Sequence, residues 1–123
     1  MLKINVSVRP EFKAPIRVEM PNDKGKTDTH TFVATYRMIE DQDLDRLITA
    51  AKDMDEAGPA FAAPGDKDVL RQVLVDWTGI IDQDNQPVPF SSDVLDYLMS
   101  IVPYRRAMMQ AFLDALPGAR RKN

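Results

Sequence analysis

Polar and apolar residues alternate strictly at the start of the chain. Leu2, Ile4, Val6 and Val8 are interleaved with Lys3, Asn5, Ser7 and Arg9, which predicts a strand with one apolar and one wet face. Pro10 ends that run. Ile16, Val18 and Met20 then alternate with Arg17 and Glu19 in a second short strand. Pro21 to Lys26 reads as a turn, because Pro and Gly25 set special dihedrals and Asn22 and Asp23 can bond back to the backbone. Thr29 to Arg37 is a third strand, rich in β-branched and aromatic residues, with Phe32, Ala34, Tyr36 and Met38 on one face. Three strands on short connections predict an antiparallel meander with one face to be covered.

The pattern then changes to helical spacing. Asp41 or Asp43 caps a first helix whose Leu44, Leu47, Ile48 and Ala51 form an i, i+3, i+4, i+7 stripe. Gly58 and Pro59 stop it, and residues 60–65 read as a breaker-rich linker or loop. Asp66 caps a second helix. Its Val69, Val73 and Trp77 stack at i, i+4 and i+8, beside Leu70 and Leu74, and Gly79 suits the residue just past its end. Phe90 before the cap Ser91 sets up a hydrophobic staple onto Leu95. Val94, Leu95, Leu98, Met99 and Val102 give the third helix its apolar face. Pro103 opens a fourth, where its missing N–H costs nothing. Tyr104, Met108, Ala111, Phe112 and Ala115 form its stripe, broadened by Met109, Leu113 and Leu116, and Pro117-Gly118 ends it.

The fold class expected is therefore α+β: an N-terminal three-stranded antiparallel sheet followed by about four helices. Its 123 residues suit a single domain. Residues 1–39 form a β-rich part, 41–118 a helical part and 119–123 a flexible basic tail.

Composition narrows the function classes. A hydrophobic fraction of 44% and a charged fraction of 28% are those of a globular protein, so global disorder is not expected. Cysteine is absent, which removes disulfides, cysteine nucleophiles and thiolate metal sites. The alternating N-terminus lacks the continuous apolar segment of a signal peptide, and no apolar run reaches the roughly 20 residues that span a bilayer. A formal net charge of −3 weighs against a dedicated nucleic-acid binder. Seven Met residues supply adaptable side chains for a core or a binding surface.

Candidate chemistry is sparse. Asp82-Gln83-Asp84-Asn85-Gln86 spaces its oxygens like the start of a calcium loop. The sixth position is Pro87 instead of Gly, and the twelfth is Asp93 instead of Glu, so a solvated turn is the better reading. His30 is the sole histidine and has no cysteine or nucleophile elbow to work with. No glycine-rich phosphate cradle is present. Asp53, Asp55 and Glu56 read as a charged helix face. Arg105 and Arg106, with Arg120, Arg121 and Lys122, make a small basic group, either for phosphate contacts or as complements to a helix dipole. Among the large aromatics Trp77 is read as core, while Tyr104 divides evenly between core and interface. No constellation points to catalysis, and the expectation is a non-enzyme.

Two stretches together carry a resemblance. The first is a basic strand ending in Pro10, a Gly-containing turn, and Thr31-Phe32-Val33-Ala34-Thr35-Tyr36-Arg37 leading to Glu40-Asp41. The second is Trp77-Thr78-Gly79, the acidic turn, Pro89-Phe90-Ser91, Pro103, Ala111-Phe112, Ala115-Leu116 and Gly118-Ala119-Arg120-Arg121-Lys122-Asn123. In this order they resemble the tail assembly chaperones of long-tailed bacteriophages; residues from Met54 to Gly65 match nothing in that pattern. The resemblance implies binding of the helical tape-measure protein, with tail-tube subunits as a second partner and self-association in some members. It implies no cofactor and no metal, a place in the host bacterial cytoplasm, and absence from the mature virion. A partner-binding surface is then expected at Met99, Tyr104, Arg105, Arg106, Met108 and Met109, with Met54, and in the basic tail at Arg120, Arg121 and Lys122. Two other readings stay open: a tail-completion or connector protein, and a small nucleic-acid-binding regulator.

Overall fold

The computed structural model describes residues 1–3, 7, 9–38, 42, 45–46 and 66–116. Among them it shows three strands and three helices: β1 (Glu11–Pro21), β2 (Thr27–Arg37), α1 (Asp66–Val73), β3 (Leu74–Thr78), α2 (Ser92–Met99) and α3 (Val102–Ala115). The α+β class and a three-stranded antiparallel sheet are thus both present, with strand order β1-β2-β3. Two expectations are corrected. The third strand is not N-terminal: it arrives after α1, at the other edge of β2. Three helices are described, against about four expected; the helix read from Asp41 to Gly58 and the linker 60–65 lie almost wholly outside the described residues. Of the strand read at Leu2–Val8, the described residues Leu2, Lys3 and Ser7 have no strand structure.

β1 and β2 form a long hairpin running from the pair Glu11–Arg37 to the pair Pro21–Thr27. Phe12, Ala14, Ile16, Val18 and Met20 alternate inward, while Glu11, Lys13, Pro15, Arg17 and Glu19 stay exposed. The strand therefore includes residues before Ile16, across Pro15. Asn22 closes the turn, its Oδ1 accepting from the backbone N–H groups of Lys24 (2.9 Å) and Lys26 (3.1 Å). Gly25 takes the left-handed φ of 73° that this turn needs.

β3 occupies residues that carry helical spacing. Leu74 and Trp77 lie three apart, yet both are buried. A plain strand would send them to opposite faces. The register shift between Thr35 and Tyr36 solves this: Tyr36 faces Leu74 and Thr35 faces Asp76, so Val75 is the extra residue of a bulge. With the bulge, both large side chains reach the core. The stripe Val69, Val73, Trp77 is thus a helix to Val73 and a strand beyond it.

The helices cover the inward face of the sheet. α3 lies along β1, and α1 packs on both α2 and α3. Tyr36 is the centre of the core. Its ring stacks on Phe12 (centroids 5.6 Å apart) and tilts against Phe112 (5.2 Å), and its hydroxyl donates to Met108 O at 2.6 Å. Arg71 ties α1 to α2 through Asp96 Oδ1 (2.9 Å), and Arg37 Nε donates to the Gln72 carbonyl at 2.7 Å, near the end of α1.

Gly79 follows β3 with φ of 90°, and a Cβ there would sit 3.4 Å from Phe32 Cα. A side chain would be strained by the dihedral before contact matters. Gly79→Ala is expected to cost about 1–3 kcal/mol, read as a lower midpoint in chemical denaturation. An unchanged midpoint would mean that the segment after β3 relaxes freely.

Candidate functional site

The surface that draws together half of the described candidate residues, Tyr104, Arg105 and Arg106, is the first turn of α3. α2 ends at Ser100, whose N–H donates to the Asp96 and Tyr97 carbonyls and whose Oγ donates to Tyr97 O at 2.6 Å. Ile101 is extended and starts α3 without a side-chain cap, and Pro103 stands in the first turn. The connection between the two helices is therefore very short, and Tyr104, Arg105 and Arg106 follow it at once.

Arg105 reaches back across that corner. Its Nη1 donates to Met99 O at 3.3 Å, among the last carbonyls of α2, where a cation also meets the negative end of the helix dipole. Its buried Nε has no hydrogen-bond partner. Burying that donor costs free energy that the guanidinium contact and the dipole must offset. Arg105 is in this sense a strut holding α2 to α3.

Two grooves flank the turn. The first, of ≈ 710 Å³, lies between β1 and α3 and is lined by Arg17, Val18, Glu19, Val102, Pro103, Arg106 and Ala107. Positions 102, 103, 106 and 107 follow helical spacing, so one face of α3 forms a whole wall. Val18 is the buried floor; Arg17 and Glu19 pair on the rim at 3.6 Å. The second groove, of ≈ 360 Å³, lies on the other side, between Thr29–Phe32 of β2, the segment Gly79–Ile81, Leu98 and Tyr104. Ile81 is 57% exposed beside it. Tyr104 and Arg106 thus face different grooves.

The remaining candidates are distributed otherwise. Met99, Met108 and Met109 are each 0% exposed. They fill the core beneath the turn and offer no contact area to a partner in this conformation. The reason is that α3 is apolar over a wide arc: β1 and α1 cover Met108, Met109, Phe112 and Leu113 together. Met54, Arg120, Arg121 and Lys122 lie outside the described residues. Trp77 is in the core as read, donating from Nε1 to Val88 O at 2.8 Å and meeting Phe90 edge-on at 4.8 Å.

Several lining residues carry no sequence signal of their own. Arg17, Glu19 and Ala107 read as ordinary strand and helix surface. Ile80-Ile81 was the one available hint: two large apolar residues directly after a glycine, where a turn should be polar. The acidic turn that follows is closed by its own side chain, Asp82 Oδ1 accepting from the N–H groups of Asp84 (2.8 Å) and Gln86 (3.0 Å). Asn85 takes a φ of 61° within it. Among the described residues no group of three or more His, Asp or Glu side chains gathers in a metal-holding arrangement, and no helix is long and apolar enough to cross a membrane.

The site is therefore a pair of open grooves, of which the one between β1 and α3 has an apolar floor and a charged rim and the smaller one a lining of apolar and uncharged polar residues; both are suited to receiving another chain. Neither a protein-family model, nor a curated protein, nor a solved structure matches this sequence.

Proposed function

We propose that this chain is a non-enzymatic tail assembly chaperone of a long-tailed phage or prophage, holding a helical tape-measure protein while the tail is built. The observation that carries the reading is the order of Trp77-Thr78-Gly79, Pro89-Phe90-Ser91, Pro103 and Gly118 to Asn123 along one short chain. The surface supports a binding role. The groove between β1 and α3 combines Val18, Val102, Pro103 and Ala107 with Arg17, Glu19 and Arg106. A helix with an apolar stripe and charged flanks fits such a surface, and an open groove suits a grip that later assembly can displace. Tail-tube subunits as a second partner, a host bacterial cytoplasmic location and absence from the mature virion belong to the same proposal.

The test is co-expression with a long helical tape-measure protein of the phage or prophage that carries this chain. The wild-type chain is expected to keep that protein soluble and to co-purify with it. Ala107→Asp places a charge in the groove wall and is expected to abolish co-purification with circular dichroism unchanged. Unaffected co-purification would remove the groove from the proposal. A wild-type chain that holds no such protein would remove the chaperone reading itself, and recovery of the chain from purified virions would favour a tail-completion or connector role.

A further inference from the structure

Charge is distributed unevenly around the groove between β1 and α3. Its lining holds two arginines and one glutamate. On the β1 side Arg17 and Glu19 are both exposed and stand 3.6 Å apart, so that rim is balanced and solvated. On the other side the wall is Val102, Pro103, Arg106 and Ala107, with no acidic residue among them. The first turn of α3 has no carboxylate and no side-chain cap, so its own residues leave the positive end of the helix dipole without an opposing charge. The first acidic residue along α3 is Asp114, about 12 Å beyond Arg106 at the rise of an α-helix.

The two adjacent arginines have separate tasks. Arg105 turns to the Met99 carbonyl and belongs to the corner between α2 and α3. Arg106 lies one turn on from Val102 and Pro103 and lines the groove with them. It is half-buried, as are Val102, Pro103 and Ala107. Its stem covers apolar surface, and a partly buried cation is screened less than one on an open surface.

We propose, resting on the chaperone reading of this groove, that the partner helix it receives is acidic as well as amphipathic. The apolar stripe of that helix lies on Val102, Pro103 and Ala107 above Val18. Its carboxylates face α3, where the planar guanidinium of Arg106 can take one through two parallel hydrogen bonds. The chain as a whole carries a charge of −3, so an acidic helix is repelled by the body of the protein and held at one cationic place. Electrostatic fit of this kind sets register and choice of partner more than raw affinity. A nucleic acid is also anionic, but its row of phosphates needs several cations, and this wall has one beside three apolar residues.

Two labelled, stapled helical peptides with the same leucine and alanine stripe test this by fluorescence anisotropy, one flanked by glutamates and one by lysines. The wild-type chain is expected to bind the glutamate peptide about tenfold more tightly, with the difference shrinking as salt is raised. Arg106→Glu is expected to invert the preference with unchanged circular dichroism. Arg106→Gln is expected to erase it, which decides the matter if the charge reversal disturbs the fold. Lys13→Glu makes the same change of charge at an exposed position of β1 outside the groove, and is expected to leave the preference as it is. Equal affinity for the two peptides, binding of neither, or a wild-type preference retained by Arg106→Glu would overturn the proposal. Displacement of the glutamate peptide by a single-stranded oligonucleotide would overturn it in favour of a nucleic acid. Co-expression separates this from the chaperone reading. Tape-measure protein recovered equally with wild type and Arg106→Glu would keep the chaperone and remove the acidic helix, whereas recovery with neither would remove the chaperone itself.

Discussion

Tyr36→Ala is expected to destabilise the fold by about 3–5 kcal/mol, the range for deleting a buried aromatic. Against a typical total of about 5–15 kcal/mol this leaves little or no margin. Tyr36 is 0% exposed on the central strand, touches both Phe12 and Phe112, and is bonded to Met108 O. Its removal unlinks β2 from α3. Tyr36→Phe keeps the ring contacts and is expected to cost only about 1 kcal/mol for the lost hydrogen bond. The phenol also makes stability fall in alkali. Burial pushes its pKa far above the ordinary 10.0, because the phenolate would have to enter the core. The unfolded chain therefore gives up this proton first. The contribution is complete below about pH 10 and is lost above it at about 1.4 kcal/mol per pH unit. Urea denaturation at several alkaline pH values measures the slope, and Tyr36→Phe is expected to flatten it by that amount. An identical slope in the two proteins would show that the ring reaches water without unfolding.

The second large effect is expected at Trp77. It is the only tryptophan and is 4% exposed. One indole holds three segments: β3, which carries it, the loop residue Val88, which accepts its N–H, and Phe90 just before α2. Trp77→Ala is expected to cost about 3–5 kcal/mol in thermal or chemical denaturation followed by circular dichroism. Trp77→Phe retains part of the contact but leaves Val88 O without its donor, and should fall between alanine and wild type. The segment from Ile80 to Val88 is anchored by this bond, so the lining of the smaller groove should loosen with it. Equal stability of Trp77→Ala and wild type would mean that β3 contributes nothing to the core.

The sequence was legible where one signal acted alone. β2 is legible almost to its ends, because Phe32, Ala34 and Tyr36 alternate without interruption. The cap at Ser91 and the proline opening α3 were read from local chemistry, and both are present. Two signals misled where a second constraint intervened. The alternation marks the second strand only from Ile16, yet β1 runs back across Pro15, whose nitrogen faces away from β2, so no bond of that ladder is missed. Leu74 and Trp77 looked helical, but a bulge gives a strand the same spacing on one face. No local rule predicts that bulge, since it depends on β2 offering an open edge. The grooves were less legible still. Met99, Met108 and Met109 are apolar, as expected of a binding surface, yet apolar residues at helical spacing equally describe a core. Only the packing of α3 on β1 separates the two.

The late arrival of β3 also orders events in time. The β1–β2 hairpin closes through a five-residue turn and can form as soon as Arg37 is synthesised. The other edge of β2 must wait for Leu74 to Thr78, and α3 for longer still. During that interval Ile16, Val18, Phe32 and Tyr36 face water on an incomplete sheet. The prolines of β1 already disarm one side of the growing hairpin. The edge of β2 has no such guard, and the nascent chain is most prone to mispairing there until its own third strand is made.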